Sequence, residues 1–232
     1  MATRIPKLAI VPQTKAKPTA SVIFLHGSGG TGVIARQSLK MILGRDFSFP
    51  HIRLIYPTAP VRPYTLAGGI HRNVWFDRLG MSLETPDDPS TLEPIAEEIS
   101  QLIEKEISLG ISAKRVIIGG FSMGASLAMQ VGYRFRPDIG GVFVFSSFLS
   151  KSSEVYKVLD SSSTKKPLPP LLMCHGAVDD IVPYEWGHYT FGELQKRGIP
   201  AEFHSFPRLD HSLNVKELNI LQAWLLKHLP DV

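Results

Sequence analysis

Three residues spread along the chain, Ser122, Asp179 and His211, carry the side chains that an acyl transfer requires. A serine hydroxyl attacks a carbonyl only when a base takes its proton, and an imidazole base works best when a carboxylate fixes its tautomer. Ser122 lies in Gly120-Phe121-Ser122-Met123-Gly124, between the apolar run RVIIGG and the small-residue segment MGASLAMQ. The G-x-S-x-G spacing at a strand-to-helix junction is that of a nucleophile elbow: a sharp turn holds Oγ clear of a sheet, and the flanking glycines leave it room. By itself the stretch also fits a buried serine in a tight turn. The downstream residues favour the elbow. AVDDIVP follows the apolar run LLMCHG and RLDHSLN follows AEFHSFP, so the chain order is Ser, Asp, His.

In this reading His211 is the general base and then the acid for the leaving group, and Asp179 fixes its imidazole. Asp180 and Asp210 are rivals for the carboxylate role. Asp210 is the weaker, because neighbours in sequence seldom present their side chains face to face. Donors for the oxyanion are expected from the backbone N–H of Met123, after the nucleophile, and of Ser28 in FLHGSGGTG. That loop has neither the lysine of a phosphate-binding G-x-x-x-x-G-K-[ST] nor the G-x-G-x-x-G spacing.

Around these residues the sequence alternates apolar runs with helical patterns. Strands are expected at 8–11, 21–27, 52–57, 115–121, 141–147, 171–176 and 201–207. Several are apolar on both faces, as in a parallel sheet covered on both sides. Helices are expected at 90–110, with Ser90 as cap and Gly110 as stop, and at 123–135, 183–197 and 215–229. The implied fold class is α/β, with a mostly parallel central sheet and helices on both faces. In such a sheet the loops bearing Ser122, Asp179 and His211 emerge at one edge, where ligands bind.

A single domain over 1–232 is expected, with a long loop insertion at about 58–89 and a mobile excursion at about 149–170. The apolar residues Leu66, Ile70, Trp75 and Phe76 of the insertion, with Phe148 and Leu149, are candidates for the substrate-binding wall. The same side chains would also serve to anchor a long loop to the core, and both readings stand at this stage.

Composition narrows the function classes. The chain has 44% hydrophobic and 20% charged residues with a formal charge of +4, an ordinary globular balance. Basic residues are scattered among acidic ones, without interleaved aromatics, so no nucleic-acid partner is expected. Cys174 is the only cysteine, read as a buried apolar residue, and the histidines lack metal-ligand spacing. Neither a metal nor a cofactor is expected. With no signal peptide, lipidation motif or long apolar run, the expected location is the cytosol, with at most transient contact with a membrane surface.

Taken in order, FLHGSGGTG, YPTAP, NVWFDR, GGFSMGAS, CHGAVDDIVP and FHSFPRLDHSL resemble the acyl-protein thioesterase and lysophospholipase family of the α/β-hydrolase fold. The resemblance runs from about residue 21 to 230. It implies Ser122 as nucleophile, Asp179 rather than Asp180 as acid, His211 as base, and the Ser28 and Met123 amides as oxyanion donors. The implied substrate is an S-acyl cysteine of a protein, with short-chain carboxylic esters or lysophospholipids as the alternative; the rival of another class is a non-catalytic binder of acylated partners. The chain departs from the family at Ser28 and Gly30 in place of HGLGDTG, at Met123 and Ala125 in place of GFSQGG, and in the bulkier, more basic GGIHRNVWFD. Backbone donors do not depend on side chains, so these changes bear on acyl-chain preference.

Overall fold

The computed structural model describes residues 5, 7–161 and 167–232. In chain order its elements are β1 (Leu8–Val11), β2 (Ala20–Leu25), α1 (Gly32–Leu43), β3 (Ile52–Pro57), β4 (Val61–Pro63), β5 (His71–Asn73) and α2 (Pro89–Ser108). They continue with β6 (Val116–Phe121), α3 (Met123–Gln130), β7 (Gly141–Phe145), α4 (Glu154–Ser161), β8 (Leu171–Gly176), α5 (Tyr184–Lys196), β9 (Ala201–Phe206) and α6 (Val215–His228). All seven expected strands form one sheet in the order β1-β3-β2-β6-β7-β8-β9. Only β1 runs antiparallel to its neighbour. This is the mostly parallel α/β-hydrolase sheet that the sequence implies.

Strand alternation places Ile23 and Leu25 in one apolar cluster and Val22 and Phe24 in the other. The first cluster is completed by α2, α3 and the start of α4, the second by α1 and α6. Because both faces are covered, every residue of β2 and of β8 is buried. Cys174 is one of them, and burial pushes its thiol pKa well up. Between β2 and β6 the chain order reverses direction, since β2 leads to β3 on one side and β6 to β7 on the other. The crevice beyond such a switch point is where ligands bind in open α/β sheets.

Three local expectations change. The cap of α2 is Asp88, whose carboxylate accepts the Ser90 N–H, with Pro89 in the first turn; Ser90 is already helical. The 58–89 insertion contains the β4–β5 hairpin and is pinned by Asp77, whose carboxylate accepts the Thr65 N–H at 2.8 Å. The expected excursion at 149–170 is packed over its first part: Leu149 is buried, and α4 buries Val155 and Tyr156. Residues 162–166 of it lie outside the described residues. Among the described residues no helix is long and apolar enough to cross a membrane.

Candidate active site

Ser122 is placed by the turn from β6 into α3. Its backbone has φ 55° and ψ −124°, a combination that costs a non-glycine residue about 1–3 kcal/mol. The surroundings hold it there: the Ser122 N–H donates to the Phe145 carbonyl at 2.9 Å, and its own carbonyl accepts the Ala125 N–H at 3.0 Å. A Cβ at Gly120 would strike the Leu25 carbonyl oxygen, and one at Gly124 the carbonyls of Leu25 and His26. The two glycines therefore let the elbow press against the end of β2.

Asp179 follows β8 and His211 follows β9, and the two loops meet above Ser122. His211 Nε2 stands 3.0 Å from Ser122 Oγ, and Nδ1 stands 2.8 Å from Asp179 Oδ2. Asp179 also accepts the backbone N–H groups of Ile181 and Val182 at 3.0 and 2.8 Å, so its carboxylate cannot swing away without losing both. Asp180 and Asp210 are exposed, and neither bonds to the imidazole. Phe121 packs on the His211 ring with centroids 4.7 Å apart, covering one face of the imidazole. The arrangement can pass a proton from Oγ to Nε2 while Nδ1–H stays bonded to a fixed carboxylate.

The Ser28 loop lies across from the elbow, at the end of β2. Met123 opens α3, so its N–H has no intrahelical acceptor. Among the described residues neither this N–H nor that of Ser28 donates to a protein group. The Ser28 hydroxyl donates to the Met123 sulfur at 3.6 Å, tying together the two loops that bear these amides. His26 braces the loop from below. Its Nε2 accepts the Ala59 N–H at 3.0 Å, and its Nδ1–H donates to the Gly27 carbonyl at 2.7 Å. Burial lowers its pKa to about 4, which keeps the ring neutral and preserves that tautomer. His175 plays a like part at the end of β8, donating from Nε2 to the Val182 carbonyl at 2.9 Å.

A cavity of ≈ 310 Å³ opens beside Ser122 and Met123. Of the six candidate wall residues, Leu66 and Phe148 line it. Trp75, Phe76, Ile70 and Leu149 do not. Trp75 and Phe76 are wholly buried in the core, and the Trp75 Nε1–H donates to the His26 carbonyl at 2.8 Å, so the indole supports the Ser28 loop from behind. Leu149 is buried under α5, its N–H donating to Thr190 Oγ1 at 3.0 Å. Ile70 is exposed on the hairpin. The wall also includes Tyr64, Met81, Ile181, Val182 and Arg78. Nothing in the sequence around Arg78 marks it as part of this wall. Its guanidinium lies over the rings of Phe148 and Phe76, 4.7 and 5.2 Å from their centroids, a placement that no sequence spacing encodes.

Comparison with known proteins agrees with this architecture. Lysophospholipase-like protein 1 of Mus musculus is 44% identical over 231 residues, covering 97% of this chain and 95% of its own. Acyl-protein thioesterase 1 homolog 1 of Dictyostelium discoideum is 33% identical, with 91% of this chain and 92% of its own covered. Among solved structures, Zea mays acyl-protein thioesterase 2 superposes with a TM-score of 0.83 at 28% identity, over 96% of this chain and 99% of that one. The phospholipase/carboxylesterase family matches residues 6–229, and this chain belongs to it.

Proposed function

We propose that the protein is a serine acyl hydrolase whose bond of choice is the thioester of an S-acylated cysteine in a protein. The observation that carries the reading is the unbroken chain of hydrogen bonds from Ser122 Oγ through His211 to Asp179, at the carboxyl edge of the sheet. The names of the relatives, acyl-protein thioesterases among them, support the thioester.

In the acylation step Ser122 Oγ attacks the acyl carbonyl as His211 Nε2 accepts its proton. The carbonyl oxygen, now negative, takes hydrogen bonds from the Ser28 and Met123 amides, each worth about 3 kcal/mol to the transition state by analogy with single oxyanion donors. The C–S bond then breaks, and His211 returns the proton to the departing thiolate. Water, deprotonated by the same imidazole, attacks the acyl-enzyme, and the acid is released as Ser122 recovers its proton.

Arg78 favours a second reading of the acyl chain. A long apolar tail laid along the wall would lie against a charged guanidinium that gains no hydrogen bond from it. A short acyl group on an oxygen ester would avoid this. A fluorophosphonate probe tests the hydrolase reading: it should label wild type and not Ser122→Ala, and an unlabelled wild type would exclude an activated serine. Rates on matched thioesters and oxygen esters, from acetyl to palmitoyl, separate the two substrates. A rate sustained to palmitoyl on thioesters supports protein deacylation, and a steep early fall on both series supports a short-chain carboxylesterase.

A further inference from the structure

A second cavity of ≈ 400 Å³ also opens onto His211. It shares Gly27, Ser28, Phe121 and His211 with the cavity beside Ser122, so the two meet at the reacting centre. Their other walls differ. The first includes Ser122 and Met123; the second includes neither, and continues instead along Ser212, Leu213 and the exposed side of α1.

Four groups diverge from the tetrahedral carbon formed on Ser122: Oγ, the oxyanion, the acyl chain and the leaving atom. The oxyanion is directed to the Ser28 and Met123 amides. The leaving atom must come within hydrogen-bond reach of His211 Nε2, which returns the proton to it. A cavity that follows the histidine and its successors, without touching the serine, therefore suits the leaving side. The cavity that includes Ser122 and Met123 suits the acyl side.

The lining gives the chemistry. Ile34, Ser38 and Ile42 stand four residues apart on α1 and form one stripe along the groove, facing Phe24 and Leu213. No Lys, Arg, Asp or Glu lines it. A charged headgroup there would lose water without gaining a partner. Apolar surface on α1 is also open to solvent, with Val33 50%, Ile34 52% and Met41 83% exposed.

We infer that this groove is a leaving-group subsite, built to hold an apolar side chain flanking the acylated cysteine of the substrate. The inference rests on the thioester-hydrolase reading above. In the step it serves, the Oγ–C bond forms, the C–S bond breaks, and the Ser122 proton passes through His211 to the peptide sulfur while the neighbouring apolar residue sits in the groove. Once the thiol has left, the acyl-enzyme is the same whatever peptide delivered it, so the groove acts on acylation alone.

The test uses two S-butyryl peptides, acetyl-Leu-Cys-Leu-amide and acetyl-Ser-Cys-Ser-amide, in which the acyl group is the same and the thiol closely similar. Wild type should favour the leucine peptide by about tenfold in kcat/KM, as expected for partial burial of one leucine side chain. The double variant Ile34→Ser, Ile42→Ser should lose most of that preference, with the deacylation rate of the butyryl-enzyme equal from both peptides. Equal kcat/KM on the two peptides in wild type would overturn the subsite. So would a double variant that alters acyl-length dependence on N-acetylcysteamine thioesters, for then the groove holds the acyl chain. If wild type cleaves the cysteamine thioester without discriminating the peptides, the subsite alone fails. If it cleaves no thioester and resists the fluorophosphonate, the hydrolase reading fails and the subsite with it.

Discussion

Both carboxylate oxygens of Asp179 lie close to Nδ1 of His211, at 2.8 and 3.1 Å, while Asp180, the next residue, is exposed to solvent. Two adjacent carboxylates thus occupy opposite environments. Asp179→Asn should lower kcat by about 10⁴ by analogy with the serine-protease triad, in which an amide holds the wrong tautomer. Asp180→Asn should leave kcat close to wild type. Steady-state rates on one short-chain ester decide it, and a collapse in Asp180→Asn would reverse the assignment.

Trp75 bears on the proposed reaction through the Ser28 loop, which it supports from behind. Trp75→Phe removes the indole N–H and leaves the buried His26 carbonyl without that donor, at a cost of about 1–3 kcal/mol in stability. Urea unfolding should report this loss, and the dependence of rate on acyl length should keep its shape. A changed acyl profile with unchanged stability would mean that the indole touches substrate.

His26 gives stability an acid limit. The unfolded chain takes up this proton near the ordinary value of 6.5 and the folded chain only at about 4, so between these pH values the unfolded state binds more protons. Stability therefore falls as the pH drops through that window, by about 3 kcal/mol from this group. His26→Asn should flatten this part of the pH profile relative to wild type in denaturant melts at pH 4 and 6.5; parallel profiles would refute it.

Glu217 acts in the opposite direction. It is wholly buried at the start of α6, in a capping box with Asn214, and burial raises its pKa from 4.5 to about 8. Here the folded state binds the extra proton, so stability declines as the pH rises from 4.5 to about 8. Glu217→Gln keeps the capping geometry and has nothing to ionise. Its stability relative to wild type should rise by a few kcal/mol (order of magnitude only) between pH 5 and 8. A constant difference across that range would contradict the assignment.

The strands are legible because each is a short apolar run or, in AEFHSF, an apolar/polar alternation, and the order Ser, Asp, His is legible because each residue follows such a stretch. The helix α1 has no clear signature in the sequence. Val33, Ile34 and Met41 sit on its exposed side, which blurs the apolar period that would mark an amphipathic helix. The β4–β5 hairpin was hidden because its strands have three residues each, one of them Pro63. Around the cavity, apolar residue types do not encode the direction that each side chain takes. Trp75 and Phe76 turn into the core while Leu66, in the same insertion, turns toward Ser122, and tertiary packing decides between them. Asp88 displaced Ser90 as cap because Pro89, which lacks an N–H, is suited to the first helical position.

His211 lies in the loop that follows β9, which pairs with β8 alone at the edge of the sheet. Ser122 and Met123, and Ser28, the proposed nucleophile and oxyanion donors, follow the interior strands β6 and β2, which pair side by side. A refolding chain can thus complete the centre of its sheet and still lack His211, the proposed base. In a stopped-flow experiment, recovery of turnover should therefore lag the burial of Trp75, which packs behind the loop that follows β2.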